Sequence, residues 1–202
     1  MRVIKYRNYV SAFSKCLIII VVFLGVGAVG YWLWNRGTFL PQWIVWEQGT
    51  FQDGSGQYQI TLTGKTVRVS YKDTMIWTTE KDVKVQKALS ADIDRDGQDE
   101  LILLCWRKGH YGDVKPIWVE EDEDDWVQHI FVYECLEGDV KAKWMSSYIG
   151  KDILDVTIKE TGNIGCFLCL TDSDGEETLW MWDSWGFTKV NIPLSKFVDT
   201  SY

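Results

Sequence analysis

Residues 84–106, KVQKALSADIDRDGQDELILLCW, place an acidic loop between two segments rich in aliphatic residues. The first segment, Lys84–Ala91, is short and has a polarity pattern with a period near two, which is typical of a β-strand. The second, Glu100–Trp106, is an apolar run that begins after the turn pair Asp96-Gly97. The stretch therefore predicts a strand, a tight loop and a second strand.

The same alternation of short strands and turns continues on both sides of this stretch. The segments are rich in Val, Ile, Thr and aromatic residues, and turn pairs such as Thr63-Gly64 and Asp174-Gly175 separate them. Beyond the N-terminal segment, no run of a dozen residues has helical spacing, so we predict an all-β domain. The predicted strands are Tyr58–Leu62, Thr66–Ser70, Met75–Thr78, Lys84–Ala91, Glu100–Trp106, His129–Cys135, Val140–Met145, Ile153–Ile158, Cys166–Thr171, Thr178–Asp183 and Phe187–Ile192.

A weak internal repeat suggests how these strands are grouped. Residues 92–104 align with residues 157–169, so that Gly97 meets Gly162, and a second hairpin follows each copy. Four antiparallel strands per unit is the organisation of a propeller blade, although two unrelated β-meanders could also align by chance. Residues 58–202 hold about two and a half such units, fewer than the roughly four to eight blades of closed propellers. We therefore predict antiparallel four-stranded propeller-like units, a small or partial β-propeller.

The acidic loop Asp92–Glu100 has the spacing of a cation site. Carboxylates stand at relative positions 1, 3 and 5, glycine at position 6 permits a sharp turn, position 7 offers a carbonyl and a later carboxylate closes the shell. Ca²⁺ prefers such oxygen ligands. An EF-hand is excluded because its twelfth position would be Leu103 and because strands flank the loop. The alternative is a solvated acidic turn without metal, which repulsion among the crowded carboxylates disfavours.

The loop resembles the calcium loops of FG-GAP and VCBS repeats, in which Asp-apolar-Asp-x-Asp-Gly-x-x-(Asp/Glu)-apolar joins two strands of a blade in integrin-α-like β-propellers. The resemblance is close over residues 85–106, weaker over the two hairpins that follow, and absent before residue 58. It implies one structural Ca²⁺, with Ile93 and Leu101 pointing into the core. The ligands that it implies are the side chains of Asp92, Asp94, Asp96 and Glu100 and the carbonyl of Gln98. The second copy lacks these acids and has Thr157, Lys159 and Thr161 instead.

The N-terminal segment predicts a membrane anchor. The 20 residues Cys16–Asn35 are uncharged and end in aromatic residues, which favour the membrane interface. At about 1.5 Å per residue they are long enough to cross a hydrocarbon layer of about 30 Å. Four basic residues precede the segment and Arg36 follows it, so the positive-inside rule places the N-terminus in the cytoplasm. A signal peptide cleaved near Gly30 and a buried helix are the alternatives.

Charge divides the chain at the same place. Residues 37–202 carry 16 of the 21 basic residues and all 29 acidic ones, a formal charge of −13 in a chain whose total is −8. This acidic part makes a nucleic-acid partner improbable, because phosphate binding needs a basic face. We predict a basic cytoplasmic tail over 1–15, a transmembrane helix over 16–35, a linker over 36–57 and an extracytoplasmic β domain over 58–202.

A long insertion, residues 107–128, is the first place to look for a ligand surface. Its acidic run Glu120–Asp125 is interpreted as a solvated face, with a second cation site or an anionic docking surface as alternatives. Aromatic and glycine residues around this run indicate an ordered loop. The candidate ligand-surface residues are His110, Tyr111 and Trp118.

The remaining reactive residues give no catalytic constellation. The two histidines lack a nearby Ser or Cys arranged as a nucleophile–base pair and are too few for an ordinary zinc site. A carboxylate pair for glycoside hydrolysis stays open, because separation in sequence does not report distance. Four cysteines follow the anchor and permit two disulfides, with Cys105–Cys135 as the first candidate, or buried free thiols. Cys166 and Cys169 are three apart on a predicted strand, so they face opposite sides.

Together these features predict a membrane-anchored, extracytoplasmic calcium-binding β-repeat module on the cell membrane. We expect a non-enzymatic binding or scaffold protein whose partner is an unknown extracellular protein or glycan. The alternative is a carbohydrate-binding or carbohydrate-hydrolysing surface protein, in which some of the 12 tryptophans stack on sugar rings. A membrane-proximal sensor is a third reading, although a tail of about 15 residues leaves little room for an output domain.

Overall fold

A computed structural model describes residues 2–111, 117, 120–122, 124–161 and 165–191, with side chains from residue 14 onward. The chain divides into two compact units, Met1–Leu40 and Pro41–Tyr202. The candidate residue Trp118 and the repeat residue Gly162 lie outside the described residues.

The first unit is a single helix, α1 (Arg2–Asn35), which also includes the residues predicted as a basic tail. Its apolar part, Ser14–Asn35, has 22 residues and is not buried. At 1.5 Å per residue it is about 33 Å long. Within the described residues this is the one helix long and apolar enough to cross a membrane. The helix ends in a Schellman motif, because Gly37 has a φ of 64° and its N–H bonds to the carbonyl of Trp34.

The second unit contains twelve described strands in three antiparallel sheets, which confirms the all-β prediction. In each sheet, neighbouring strands follow one another along the chain, so each sheet is one four-stranded unit. Sheet 1 contains β1 (Gly49–Gln52), β2 (Tyr58–Thr63), β3 (Thr66–Tyr71) and β4 (Thr74–Thr78). Sheet 2 contains β5 (Lys84–Ala91), β6 (Glu100–Lys108), β7 (Trp126–Leu136) and β8 (Asp139–Met145). Sheet 3 contains β9 (Ile153–Thr161), β10 (Gly165–Asp172), β11 (Glu177–Asp183) and β12 (Gly186–Val190).

All eleven predicted strands are present, and the repeat is reflected in the sheets. At the offset of 65 residues, Glu100 at the start of β6 corresponds to Gly165 at the start of β10. The second copy reaches its next hairpin sooner because it has no counterpart of the insertion between β6 and β7. The predicted turn pair Asp174-Gly175 lies in the hairpin turn that joins β10 and β11.

The predicted linker over 36–57 was wrong in its second half, because that segment belongs to the β unit. It contains β1, which pairs with β2 so that Gly49 faces Leu62. Before β1, the side chain of Ile44 is buried and the N–H of Glu47 bonds to the carbonyl of Gln86. Sheet 1 therefore has four strands, and the described residues form three four-stranded sheets, whereas the sequence predicted about two and a half such groups.

Sheet 2 lies between the other two sheets, and β6 is covered on both faces. The side chains of Leu101 and Leu103 pack with sheet 1, whereas those of Ile102 and Leu104 pack with sheet 3. This explains the unbroken apolar run in the sequence, since a strand buried on both faces does not alternate in polarity. Ile93 and Leu101 are buried, as the resemblance implied.

The cysteine pairing expected first was wrong. All five cysteines lie in the described part of the chain and are free thiols. Cys105 faces His129, six residues before Cys135 along β7, which is about 20 Å, whereas bridged Cα atoms are at most about 7 Å apart. Burial raises the pKa of the Cys135 thiol to about 12. The thiol is therefore protonated at neutral pH and unreactive.

Candidate metal centre

The acidic loop joins β5 to β6, at one end of the central sheet. Its backbone turns back on itself, with Arg95 at a φ of 65° and Gly97 at a φ of 90°. The carboxylate of Asp92 accepts hydrogen bonds from the N–H groups of Asp96 (3.1 Å) and Gly97 (3.0 Å). These bonds fix the turn and hold the carboxylates of the loop on one side.

Four of the predicted ligands converge. Carboxylate oxygens of Asp92, Asp94 and Glu100 lie within 4.8 Å of one another, as do those of Asp96, Glu100 and Glu134. Glu134 was not predicted from the sequence. It lies directly opposite Glu100 in the pairing of β6 with β7, and no local motif marks it. The fifth predicted ligand, Gln98, lies in the same loop and is exposed.

Asp99 belongs to the loop but has a different contact. Its carboxylate accepts hydrogen bonds from the N–H of Gly54 and the hydroxyl of Ser90, each at 2.9 Å. Gly54 precedes β2, so the Asp99 carboxylate connects sheet 1 to the loop. Asp99 therefore positions the loop rather than adding to the carboxylate cluster.

A lysine lies in the cluster, which the sequence did not predict. The Lys143 Nζ is 2.6 Å from the Asp94 carboxylate, 2.5 Å from that of Glu100 and 3.8 Å from that of Glu134. In the pairing of β7 with β8, Val132 faces Trp144 and Tyr133 faces Ala142, so Lys143 is the extra residue of a β-bulge. Such bulges redirect a side chain. We name Asp92, Asp94, Asp96, Glu100, Glu134 and Lys143 the acidic cluster.

Burial dominates the electrostatics of Glu100. Desolvation raises the pKa of its carboxyl group, and the hydrogen bonds from Lys143 and from the N–H of Ile93 only partly offset it. For Lys143, desolvation acts to lower the pKa, but the hydrogen bonds to Asp94 and Glu100 outweigh it and raise the pKa above its usual value. The Glu100 carboxylate and the Lys143 ammonium lie 2.5 Å apart as a salt bridge, so Lys143 supplies the counter-charge for the buried carboxylate.

The donors suit a hard divalent cation. Five of the six residues of the acidic cluster offer carboxylate oxygens, the ligand type that Ca²⁺ and Mg²⁺ take. Two oxygens that share an ion at about 2.4 Å lie at most about 4.8 Å apart, and every pair among these three oxygens meets that limit. The side chains of Asp92, Asp94, Asp96 and Glu100 are those that would hold it, with Glu134 beside them.

The candidate ligand surface lies at the other end of β6, about 26 Å along the strand from the acidic cluster. Both carboxylate oxygens of Asp122 accept backbone hydrogen bonds, from His110 (2.8 Å) and from Tyr111 (3.0 Å). The imidazole of His110 packs edge-on against Tyr148, and Tyr111 is 39% exposed. Lys108 pairs with Asp124 at 2.9 Å, so part of the acidic run orders the loop.

The other histidine is a buried structural residue. His129 is buried in β7, and its ring nitrogens lie 3.0 Å from the carbonyls of Ser146 and Gly109. Burial lowers the pKa of its imidazole, although both hydrogen bonds act in the opposite direction. The imidazole ties the start of the insertion to the segment after β8.

Fold and site together define a protein of three four-stranded antiparallel sheets, with an N-terminal apolar helix and a carboxylate cluster in the central unit. Comparison of the chain with protein-family models, with curated proteins and with solved structures found no match.

Proposed function

We propose that the protein is a membrane-anchored, extracytoplasmic calcium-binding β-repeat module that acts as a non-enzymatic binding or scaffold protein. The observation that carries this proposal is the convergence of Asp92, Asp94 and Glu100 within 4.8 Å, in a loop whose spacing suits Ca²⁺. The loop joins the first two strands of a four-stranded unit. That is the place of the calcium loop in FG-GAP and VCBS repeats, the family that we propose.

The anchor is the part of α1 from Ser14 to Asn35. Three basic residues precede this span, Lys15 lies at its start and Arg36 follows it, so we propose that the N-terminus is cytoplasmic and that the sheets lie outside the cell membrane. Extracellular Ca²⁺ is present at millimolar concentration, at which even weak sites of extracellular modules are occupied. The role of the ion is structural, because it would join carboxylates from the loop and from β6.

A catalytic role for the same carboxylates is disfavoured by burial. Glu100 is 1% exposed and bonded to Lys143, so it cannot reach a substrate or donate a proton to one. Glycoside hydrolysis needs a protonated acid and a second carboxylate that both face the sugar. The acidic cluster lacks such a pair in which Glu100 takes part.

Calcium titration of the full chain in detergent micelles tests the proposal. The D94N/D96N variant removes two ligands, whereas the D73N/D174N variant removes the same charge at two exposed turn positions. Saturation at about 100 times Kd stabilises a protein by about 2.7 kcal/mol, which corresponds to about 5–10 °C in Tm for a domain of this size. We expect this rise in the wild type and in D73N/D174N but not in D94N/D96N.

Equal responses of the wild type and D94N/D96N would remove the metal from this loop. Isothermal calorimetry with CaCl₂ then measures the number of sites directly, and the family pattern requires one.

Glycan binding is a second candidate because one tryptophan is conspicuously exposed. Trp185 lies in the turn between β11 and β12 and is 83% exposed. Nearby, Trp182, Arg95 and Asp183 line a cavity of about 670 Å³. An aromatic ring beside polar groups suits a sugar, whose apolar face stacks on the ring. Binding of neutral oligosaccharides on an array, lost in W185A, would support this candidate, and no binding by the wild type would exclude it.

A further inference from the structure

Lys143 is the feature of the acidic cluster that the proposed calcium site does not use. It is the extra residue of the bulge in β8, so the backbone turns its side chain away from the ordinary alternation of the strand. The side chain reaches carboxylates from two other segments, Asp94 in the loop and Glu100 in β6. The two contacts connect the edge strand of sheet 2 to the loop.

The ammonium group lies where the metal would lie. Its nitrogen is 2.5 Å from Glu100 and 2.6 Å from Asp94, and protein oxygens bind Ca²⁺ at about 2.3–2.6 Å. One position at this distance from both carboxylates cannot hold two cations. Ca²⁺ bound by Asp94 and Glu100 must therefore displace the ammonium group.

Burial explains why a cation is needed there at all times. Glu100 is 1% exposed and Lys143 is 16% exposed, and an ionised carboxylate without a counter-charge is costly in such a place. In the absence of Ca²⁺, Lys143 supplies that charge. When displaced, the ammonium group has two neighbours to move toward, the Glu134 carboxylate at 3.8 Å and the ring of Trp182 at 5.9 Å.

We propose that Lys143 is an internal cation that occupies the calcium site, holds the loop closed without metal and sets the affinity for Ca²⁺ by competing with it. This inference rests on the proposed function. Because Trp182 belongs to sheet 3, the exchange also changes a contact between the two sheets. Calcium binding is thereby coupled to the packing of the central unit on its neighbour.

The K143M variant tests this competition, and Lys87 offers a matched control. Lys87 is 15% exposed and pairs with Glu47 at 2.9 Å and Asp155 at 2.8 Å, so K87M removes an equally buried charge outside the acidic cluster. Calorimetric titration of CaCl₂ into the full chain should give a Kd at least about tenfold lower for K143M than for the wild type, because Ca²⁺ no longer breaks a charge-assisted pair. The Kd of K87M should stay within about twofold of the wild-type value.

Stability gives a second readout. Without Ca²⁺, both variants should melt below the wild type, because each leaves carboxylates without their partner. At saturating Ca²⁺, the Tm of K143M should equal that of the wild type, since the ion replaces the lost ammonium group. The Tm of K87M should stay below that of the wild type by the same amount as without Ca²⁺. Failure of Ca²⁺ to restore K143M would overturn the inference.

A measurement on the wild type keeps the test independent of variant folding. Amine acetylation followed by mass spectrometry reports the accessibility of each lysine. Ca²⁺ should increase the modification rate of Lys143 several-fold and leave that of Lys87 unchanged. Unchanged modification of Lys143 at saturating Ca²⁺ would show that the two cations do not exclude each other.

The outcomes separate this inference from the proposed function. Calcium binding with the same Kd in the wild type and K143M overturns the competition and leaves the calcium site standing. Binding by K143M but not by the wild type up to about 10 mM Ca²⁺, well above the affinity of extracellular modules, supports Lys143 as the resident cation and overturns the proposed function. Binding by neither protein overturns both.

Discussion

Replacing Gln128 by Met tests whether buried amide hydrogen bonds hold sheet 3 against sheet 2. Gln128 and Gln86 are each 1% exposed. The Gln128 side chain accepts a hydrogen bond from the Ile153 N–H (2.6 Å) and donates to the Ile153 carbonyl (2.8 Å) and to the Gln86 amide oxygen (2.9 Å). That oxygen also accepts the indole N–H of Trp106 at 3.0 Å. The network therefore joins β5, β6 and β7 to the first residue of β9.

Methionine has nearly the same volume as glutamine, so little packing is lost in Q128M. The cost arises because the buried N–H and carbonyl of Ile153 both lose their hydrogen bonds to the Gln128 amide, while the Gln86 amide stays 3.5 Å from that carbonyl. Each unsatisfied buried group costs about 1–3 kcal/mol, so we expect a loss of about 2–4 kcal/mol. At about 2–4 °C per kcal/mol this lowers Tm by about 5–15 °C.

Thermal unfolding of the full chain in detergent micelles, followed by tryptophan fluorescence, measures the effect. The control is Q59M, the same exchange at an exposed position of β2. A Q128M protein that melts within about 2 °C of Q59M would refute the reasoning, since the buried amide would then contribute little. In a Q86M/Q128M protein the costs should be less than additive, because the two amides share partners.

Two further predictions concern His129 and Gly165. Because the pKa of His129 is lowered by burial, the unfolded chain takes up a proton near pH 6.5 and the folded one resists it. The free energy of unfolding present above pH 6.5 should therefore fall with decreasing pH, by at most about 1.4 kcal/mol per pH unit. The H129Q variant should show a flatter dependence of Tm on pH between 7.5 and 5.5. Parallel Tm curves for the wild type and H129Q would contradict this. Gly165 has a φ of 122° and its α-carbon faces the guanidinium of Arg95, so G165A should lose about 1–3 kcal/mol of unfolding free energy in chemical denaturation. The control G49A, at a glycine with open space around it, should lose less than about 1 kcal/mol. Equal losses would show that the backbone conformation is not the cause.

The strands were predictable where side chains are strongly patterned. The apolar run Leu101–Leu104 is enough to place β6. Turn pairs between alternating segments are enough to place most of the other strands. The strand β1 was missed because its four residues, GTFQ, are mostly exposed and carry little pattern. Its pairing with β2 depends on backbone hydrogen bonds, which leave no mark in composition.

The candidate site shows the same division. The loop carboxylates were predictable because their spacing within nine residues is itself the signal, and a tight turn brings them together. Glu134 and Lys143 were not, since both lie far along the chain from the loop. The pairing of β6 with β7 brings Glu134 opposite Glu100, and a bulge in β8 turns Lys143 toward the same carboxylate.

The sequence by itself determined the apolar N-terminal segment, the all-β class, the positions of eleven strands and the acidic loop. These properties depend on residue types that are close together in the chain, so local spacing records them. Only the tertiary structure decided that sheet 2 lies between two others, that Cys105 and Cys135 are too far apart to bond, and that a lysine sits among the acids. Those properties depend on strand register and on one inserted residue, and a shift of one residue in register turns a side chain to the opposite face.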